Sequence, residues 1–173
     1  MNFRILRCVL IATVALSKLG LLVADEYLLS DLGTLPGDIS SRAAAINNRG
    51  EVVGWSNASD GLTHAFRWRQ GAMTPLLIPD SLESLASDIN NLGDIVGAVI
   101  RDGKRRAFLC RNDQVVDLGI IDGFLKLGDA GNYNPGVGVN DLRQVTCRLT
   151  LEDGQQRSVF WRQGQGSVFR IAG

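Results

Sequence analysis

The sequence predicts an all-β protein built from three antiparallel repeat units of four strands each. Three observations carry that expectation. A gapless self-match places Asn47, Asp60, Gly61 and Trp68-Arg69-Gln70-Gly71 93 positions before Asn140, Asp153, Gly154 and Trp161-Arg162-Gln163-Gly164. A more diverged copy lies between them, with Ile89-Asn90, Asp102-Gly103 and Ala107-Phe108 standing for Ile46-Asn47, Asp60-Gly61 and Ala65-Phe66. Within each copy, short apolar runs alternate with Asn-, Asp- and Gly-rich turn signals at the spacing of all-β domains, and a period of roughly 40–50 residues marks a repeat array.

The N-terminal segment differs from the rest. Arg4 and Arg7 precede the apolar run Cys8–Leu16, and the first acidic residue is Asp25. That is the layout of a secretory signal peptide. The stretch from Cys8 to Ala24 is 17 residues long and interrupted by Ser17-Lys18, shorter than the roughly 20 apolar residues a membrane span needs. Cleavage after Ser17 fits the small-residue rule; cleavage after Ala24 is preferred because Glu26-Tyr27 then starts the first strand. The expected organisation is a signal peptide over 1–24 and one repeat domain over 25–173, with units near 31–76, 77–117 and 118–173.

In the first unit, Arg42–Ile46 leads through Asn47-Asn48-Arg49-Gly50 into Glu51–Ser56. Asn and Gly accept positive φ at little cost, so this stretch reads as a tight hairpin turn. A second turn is expected at Asp60-Gly61, a third strand over Thr63–Arg69, a turn at Gln70-Gly71 and a fourth strand over Ala72–Leu77. Across the copies, Val52 becomes Ile95 and Val145, whereas Val53 and Trp55 become Val96 and Ala98, then Thr146 and Arg148. The period is two and the Val52 side stays apolar, which makes it the inward face. Gly54 and Gly97 mark close backbone approach or a bulge. In the third strand, the Phe66 and Trp68 positions are the core-like ones. Tyr27–Asp31 reads as a leading strand, and the links Leu32–Ser40 and Leu76–Ser84 occupy one register. An insertion from Asp122 to Pro135 is the segment that the repeat does not explain.

Charge and cysteines narrow the function. Removing residues 1–24 takes three of the 18 basic residues and none of the 18 acidic ones, leaving a net charge of −3. A mildly acidic chain with scattered charges lacks the footprint of a nucleic-acid binder and has no polybasic membrane patch. Cys110 and Cys147 remain after cleavage. An oxidising compartment would allow them to pair, but their spacing fixes no distance.

Asp31-Leu32-Gly33-Thr34-Leu35, Ala45-Ile46-Asn47, Gly50–Ser56, His64-Ala65-Phe66 and Trp68 resemble the bacterial extracellular HAF-repeat family, named for its His-Ala-Phe triplet. The resemblance spans most of residues 27–170. It weakens in the third unit, where Asn140-Asp141-Leu142-Arg143 lacks the turn glycine and Arg157-Ser158-Val159 replaces the triplet. It implies an exported bacterial repeat protein with β-propeller-like blades, and it implies no reaction. Propellers typically have four to eight blades, so three units leave alternatives. These are a closed threefold fold such as a β-trefoil or β-prism, association of two chains, or an open arc with capped ends.

No constellation in the sequence defines a reaction. His64 is the single histidine; Arg106 and Arg157 take its place in the other copies, so a polar strand residue is the simpler reading than a base or a metal ligand. One histidine excludes a multi-histidine zinc site, and no nucleophile elbow or phosphate loop is present. Asp60, Asp102 and Asp153 each precede a turn residue, which explains them without calcium. Trp55, on the more variable face, is the aromatic candidate for exposure and ligand stacking. Asp129, Asn132, Tyr133 and Asn134 are the binding candidates of the insertion, because loops on a rigid β scaffold concentrate binding groups. The expectation is a non-enzymatic exported binding or scaffold module that needs no cofactor and no metal. Its candidate partners are a protein or glycan at the cell surface, or a second copy. The alternatives are a carbohydrate-active hydrolase with paired carboxylates and a truncated repeat protein completed by a partner chain.

Overall fold

A computed structural model describes residues 28–122, 137–150 and 155–162. The chain divides into Met1–Asp31, of which the described part Leu28–Asp31 carries no regular element, and Leu32–Gly173, which holds every described strand. The expected leading strand is therefore not formed over Leu28–Asp31; Tyr27 lies outside the described residues. Strands β1 (Asp38–Ile46), β2 (Val52–Ala58), β3 (Thr63–Arg69) and β4 (Ala72–Pro75) form the first sheet in sequence order. A second sheet runs β5 (Glu83–Ile89), β6 (Ile95–Arg101), β7 (Lys104–Arg111) and β8 (Gln114–Asp122). The third contains β9 (Gly138–Val139), β10 (Gln144–Thr150) and β11 (Gln156–Arg162), ordered β11-β10-β9.

All neighbouring strands pair antiparallel, and the described residues contain no helix. The expectation of three four-stranded units is corrected to sheets of four, four and three strands, none of them closed on itself. In the third unit the first strand shrinks to two residues, and the stretch where a fourth would fall lies beyond the described residues.

Turn chemistry explains the hairpins. Gly50 (φ 72°) and Gly93 (φ 86°) take the left-handed position after each Asn-rich turn, and Arg143 (φ 61°) takes it in the third unit. Asp102-Gly103, Gln70-Gly71 and Asn112-Asp113 each place two consecutive residues at positive φ, the requirement of the type I′ hairpin turn, whose twist matches that of the strands. At Asp60-Gly61 the loop is longer, and Asp60 Oδ1 accepts the Leu62 N–H at 2.9 Å.

The sheets stack, and stacking decides what is buried. Val52, Ile95 and Val145, the side read as inward, are 8%, 0% and 2% exposed. The opposite side is buried as well wherever another sheet follows: Val53 and Val96 are both 0% exposed, whereas Thr146 is exposed. Val53 and Ala65 of the first sheet join Ile89, Ile95 and Phe108 of the second in one core. Val96, Ala98 and Leu109 of the second join Val145 and Cys147 of the third in another. β6 has a sheet on either side, and β2 has the second sheet on one side and Leu35 of the preceding link on the other, so the strict alternation of a half-buried strand fails in both. Trp55, expected to be exposed, is corrected by the same fact: it is 7% exposed and belongs to the second of these cores. Cys110 lies in the first core and Cys147 in the second, so both are free thiols. Burial pushes the pKa of each above the ordinary thiol range.

Gly54 and Gly97 meet the expectation set for them. Gly54 pairs with Ala43 and Gly97 with Ala86, each next to a bulge in the neighbouring strand. A Cβ on Gly54 would overlap the Arg42 carbonyl oxygen, and one on Gly97 the Leu85 carbonyl oxygen. Backbone sits where a side chain would need to be, which is why the residue is glycine.

Between the apolar cores and the solvent runs a polar ladder. Asn47 Oδ1 accepts the N–H groups of Arg49 and Glu51, each at 3.0 Å. Its Nδ2 donates to Glu51 Oε2 at 2.7 Å and to the Asn90 carbonyl at 3.1 Å, in the next unit. Asn90 repeats the whole pattern. Its Oδ1 accepts from Leu92 N and Asp94 N, and its Nδ2 donates to Asp94 Oδ2 and, at 3.0 Å, to the Asn140 carbonyl. Beside it, Asn48 N donates to Asn91 Oδ1 at 2.8 Å, and Asn91 N and Nδ2 donate to the Asp141 carboxylate at 2.7 and 2.8 Å. Arginines close the acids: Arg49 lies 2.6 Å from Glu51, and Arg111 and Arg143 lie 3.2 and 3.1 Å from the buried Asp94.

Asn90→Ala leaves the buried Asp94 N–H, the half-buried Leu92 N–H and the Asn140 carbonyl without their amide partner. At about 1–3 kcal/mol for a buried group left unsatisfied, the substitution lowers stability by about 2–4 kcal/mol, read from urea unfolding midpoints. Asn140→Ala, at an exposed turn, costs about 1 kcal/mol or less in the same assay. The ladder also responds to acid. Burial opposes the charge of Glu51 more than any other single influence, but the Asn47 hydrogen bond and the Arg49 charge together hold its carboxyl below the usual range. A lowered folded pKa gives stability that is present above the unfolded value, about 4.3, and lost as pH falls through the folded one. Unfolding midpoints between pH 6 and pH 2 are expected to fall less steeply in Glu51→Gln than in the parent chain.

Candidate functional site

An open cleft of about 530 Å³ lies at the end of the first sheet, where β1 and β3 begin and β4 ends. Three stretches line it. Leu35 and Pro36 come from the link before β1 and Asp38 from its first position, His64 from β3, and Pro75 to Pro79 with Ser81, Leu82 and Ser84 from the end of β4, the link that follows and the start of β5. Proline fixes φ near −65°, so both links present rigid walls. Leu35 is held in place by its N–H, which donates to Ser56 Oγ at 3.2 Å. On the second link, the Ser81 hydroxyl donates to the Ile78 carbonyl at 2.8 Å, and Arg101 reaches the Pro79 carbonyl at 2.6 Å.

Within these apolar walls stands one acid–base pair. Asp38 Oδ2 and His64 Nδ1 are 3.6 Å apart, with the Asp38 side chain 7% and the His64 side chain 42% exposed. That separation is too long for a hydrogen bond, and Asp38 Oδ2 is buried without any hydrogen-bond partner. Most buried polar atoms are satisfied, and an exception calls for an explanation such as a ligand or an ion. The second unit has Ser81 and Arg106 at the corresponding positions, so the pair belongs to the first unit and not to the repeat.

The His64-Ala65-Phe66 triplet acquires a mechanical meaning here. His64 faces the cleft. Phe66, on the same side of the strand, is fully buried with Val52 and Leu35. Ala65 points the other way, is 0% exposed between the first two sheets, and donates its N–H to Ser84 Oγ at 2.9 Å.

Of the sequence-derived binding candidates, Trp55 alone falls among the described residues. Trp55 is buried, with the Arg42 guanidinium 5.6 Å above its ring centre. Asp129, Asn132, Tyr133 and Asn134 lie outside the described residues, as does Asp153. Among the described residues no three His, Cys, Asp or Glu side chains group closely enough to hold a metal ion. Asp60 and Asp102 serve their turns. Sequence reasoning passed over Asp38, which lies 26 positions from His64 in a link that read as connection only. The one available signal was that the first unit departs from the second at both positions.

No family model matches the chain, and no similar curated protein or solved structure is found.

Proposed function

We propose that this chain is an exported, non-enzymatic binding module of propeller-like stacked blades, similar to HAF-repeat proteins, and that it takes ligand in the cleft at Asp38 and His64. The observation that carries the reading is the buried Asp38 Oδ2, without a hydrogen bond, set in walls of leucine, isoleucine and proline. Such a site suits a molecule with an apolar body and a hydrogen-bond donor or cationic head. The walls take the body, and the carboxylate takes the donor. Asp38 is the single carboxylate among the lining residues, and no aromatic ring of Trp, Tyr or Phe lines the cleft. Paired carboxylates several ångströms apart, which glycoside hydrolysis uses, have no counterpart there, and this favours binding over catalysis.

His64 supplies a reporter, since its imidazole resonances are the only ones of their kind in the chain. Titration with hexylammonium is expected to move them saturably, and titration with hexanol to move them much less. Asp38→Ser installs the residue of the second unit and removes the buried carboxylate. It is expected to leave the unfolding midpoint equal or higher and to abolish the hexylammonium response. An unchanged response in that variant would remove the cleft from consideration.

Export rests on Arg4, Arg7 and the apolar run that follows them. N-terminal sequencing of the chain recovered from outside the cytoplasm is expected to begin at Lys18 or Asp25. A chain retained inside with its first residues intact overturns that part.

A further inference from the structure

We propose that two copies of this chain join head to tail, with the third sheet of one packed on the first sheet of the other. The inference goes beyond ligand binding and stands on the repeat itself. Each internal junction is a contact between the trailing face of one unit and the leading face of the next. Trailing and leading faces are therefore complementary by construction, and the described residues end with one of each that no further sheet covers, although Leu35 closes over Val52 and Phe66 on the leading one.

The leading face of the first sheet shows what is missing. Ile46 is 68% exposed, whereas its equivalent Ile89 is 5% exposed in the core against the first sheet. Trp68 and Met73, on the same face, are only partly buried. The trailing face of the third sheet shows the reciprocal half. Phe160 is 61% exposed, and its equivalent Leu109 is 2% exposed in the core against the third sheet. Thr146 is exposed where Val53 and Val96 are 0% exposed.

Polar complementarity fixes which face meets which. Asn47 and Asn90 each send one amide hydrogen within the turn and the other to the backbone carbonyl of the following unit. Asn140 makes the first of these bonds, to Gln144 at 2.7 Å, and the described residues contain no following unit. The Asn47 carbonyl of a second copy is the acceptor in the repeated position. Likewise Asn48 N donates to Asn91 Oδ1 and Asn91 N to Asp141 Oδ1, so Asp141 N is placed to donate to Asn48 Oδ1 of the second copy. Two such contacts in one pair make a six-unit ring, within the four to eight blades of propellers. Ring closure rests on the propeller-like reading; the head-to-tail contact does not. A heterologous contact that fails to close grows instead into longer assemblies.

Ile46→Arg and Phe160→Arg alter exposed positions, and circular dichroism is expected to report the parent fold for both. Light scattering with size exclusion is expected to give the parent chain at twice the chain mass or as longer even-spaced assemblies. Each single variant alone is expected to run as a monomer. Mixing the two restores a dimer, because the intact tail of Ile46→Arg meets the intact head of Phe160→Arg. A face-to-face dimer, head on head or tail on tail, is not restored by mixing, and that result overturns the proposal. A parent chain that stays monomeric at every concentration, its ends covered by its own terminal segments, overturns it as well.

Discussion

Aliphatic faces attract one another without specifying an offset, since apolar burial is non-directional. In this protein the offset comes from side-chain amides. Asn47 and Asn90 each tie a tight turn together through Oδ1 and reach across to the next unit through Nδ2. A single residue type therefore shapes the hairpin and sets the position of its neighbour. Both amides are nearly inaccessible, at 7% and 4% exposure, where an unmet polar group is expensive. Sliding one sheet over another by a single residue would break both sets of bonds together, so register is coupled from unit to unit.

The residue four places after each asparagine completes this arrangement. Glu51, Asp94 and Gln144 occupy that position, and each accepts a hydrogen bond from its own asparagine. In the two units that have another unit after them the residue is acidic and nearly buried, and arginines neutralise it. In the third it is neutral and the asparagine is exposed. The charge thus tracks burial against a neighbour, as expected if ion pairs are retained where they help fix geometry.

Much of the fold was legible. Hairpin turns at Asn47–Gly50 and Asp102-Gly103, the buried Val52 position and the strand glycines follow from local rules: positive φ, period two and backbone crowding. What escaped the sequence was non-local. Trp55 read as exposed because its position varies among copies, but that position is buried in the first two units and meets solvent only in the third, at Arg148. The Asn47–Asn90–Asn140 identity was visible as a repeat signature, but its role as a bridge between units needs three-dimensional spacing. Asp38 and His64 lie near the starts of β1 and β3, in a cleft whose shape depends on where two proline-bearing connections run. Pair geometry of that kind leaves no periodic trace.

Arg143 occupies a position where the other units use glycine, with its backbone at φ 61°. A left-handed conformation at a bulky residue carries a conformational cost of about 1 kcal/mol or more. Its guanidinium reaches back to Asp94, a carboxylate already engaged by Arg111. In linear arrays the outermost unit is the first to fray, because it has one neighbour instead of two. Here the third unit is clasped at its hairpin to the middle of the molecule. Local opening of this terminal sheet would expose a buried anion, so hydrogen exchange in β10 is tied to the integrity of the central unit rather than running at the rate of a free end.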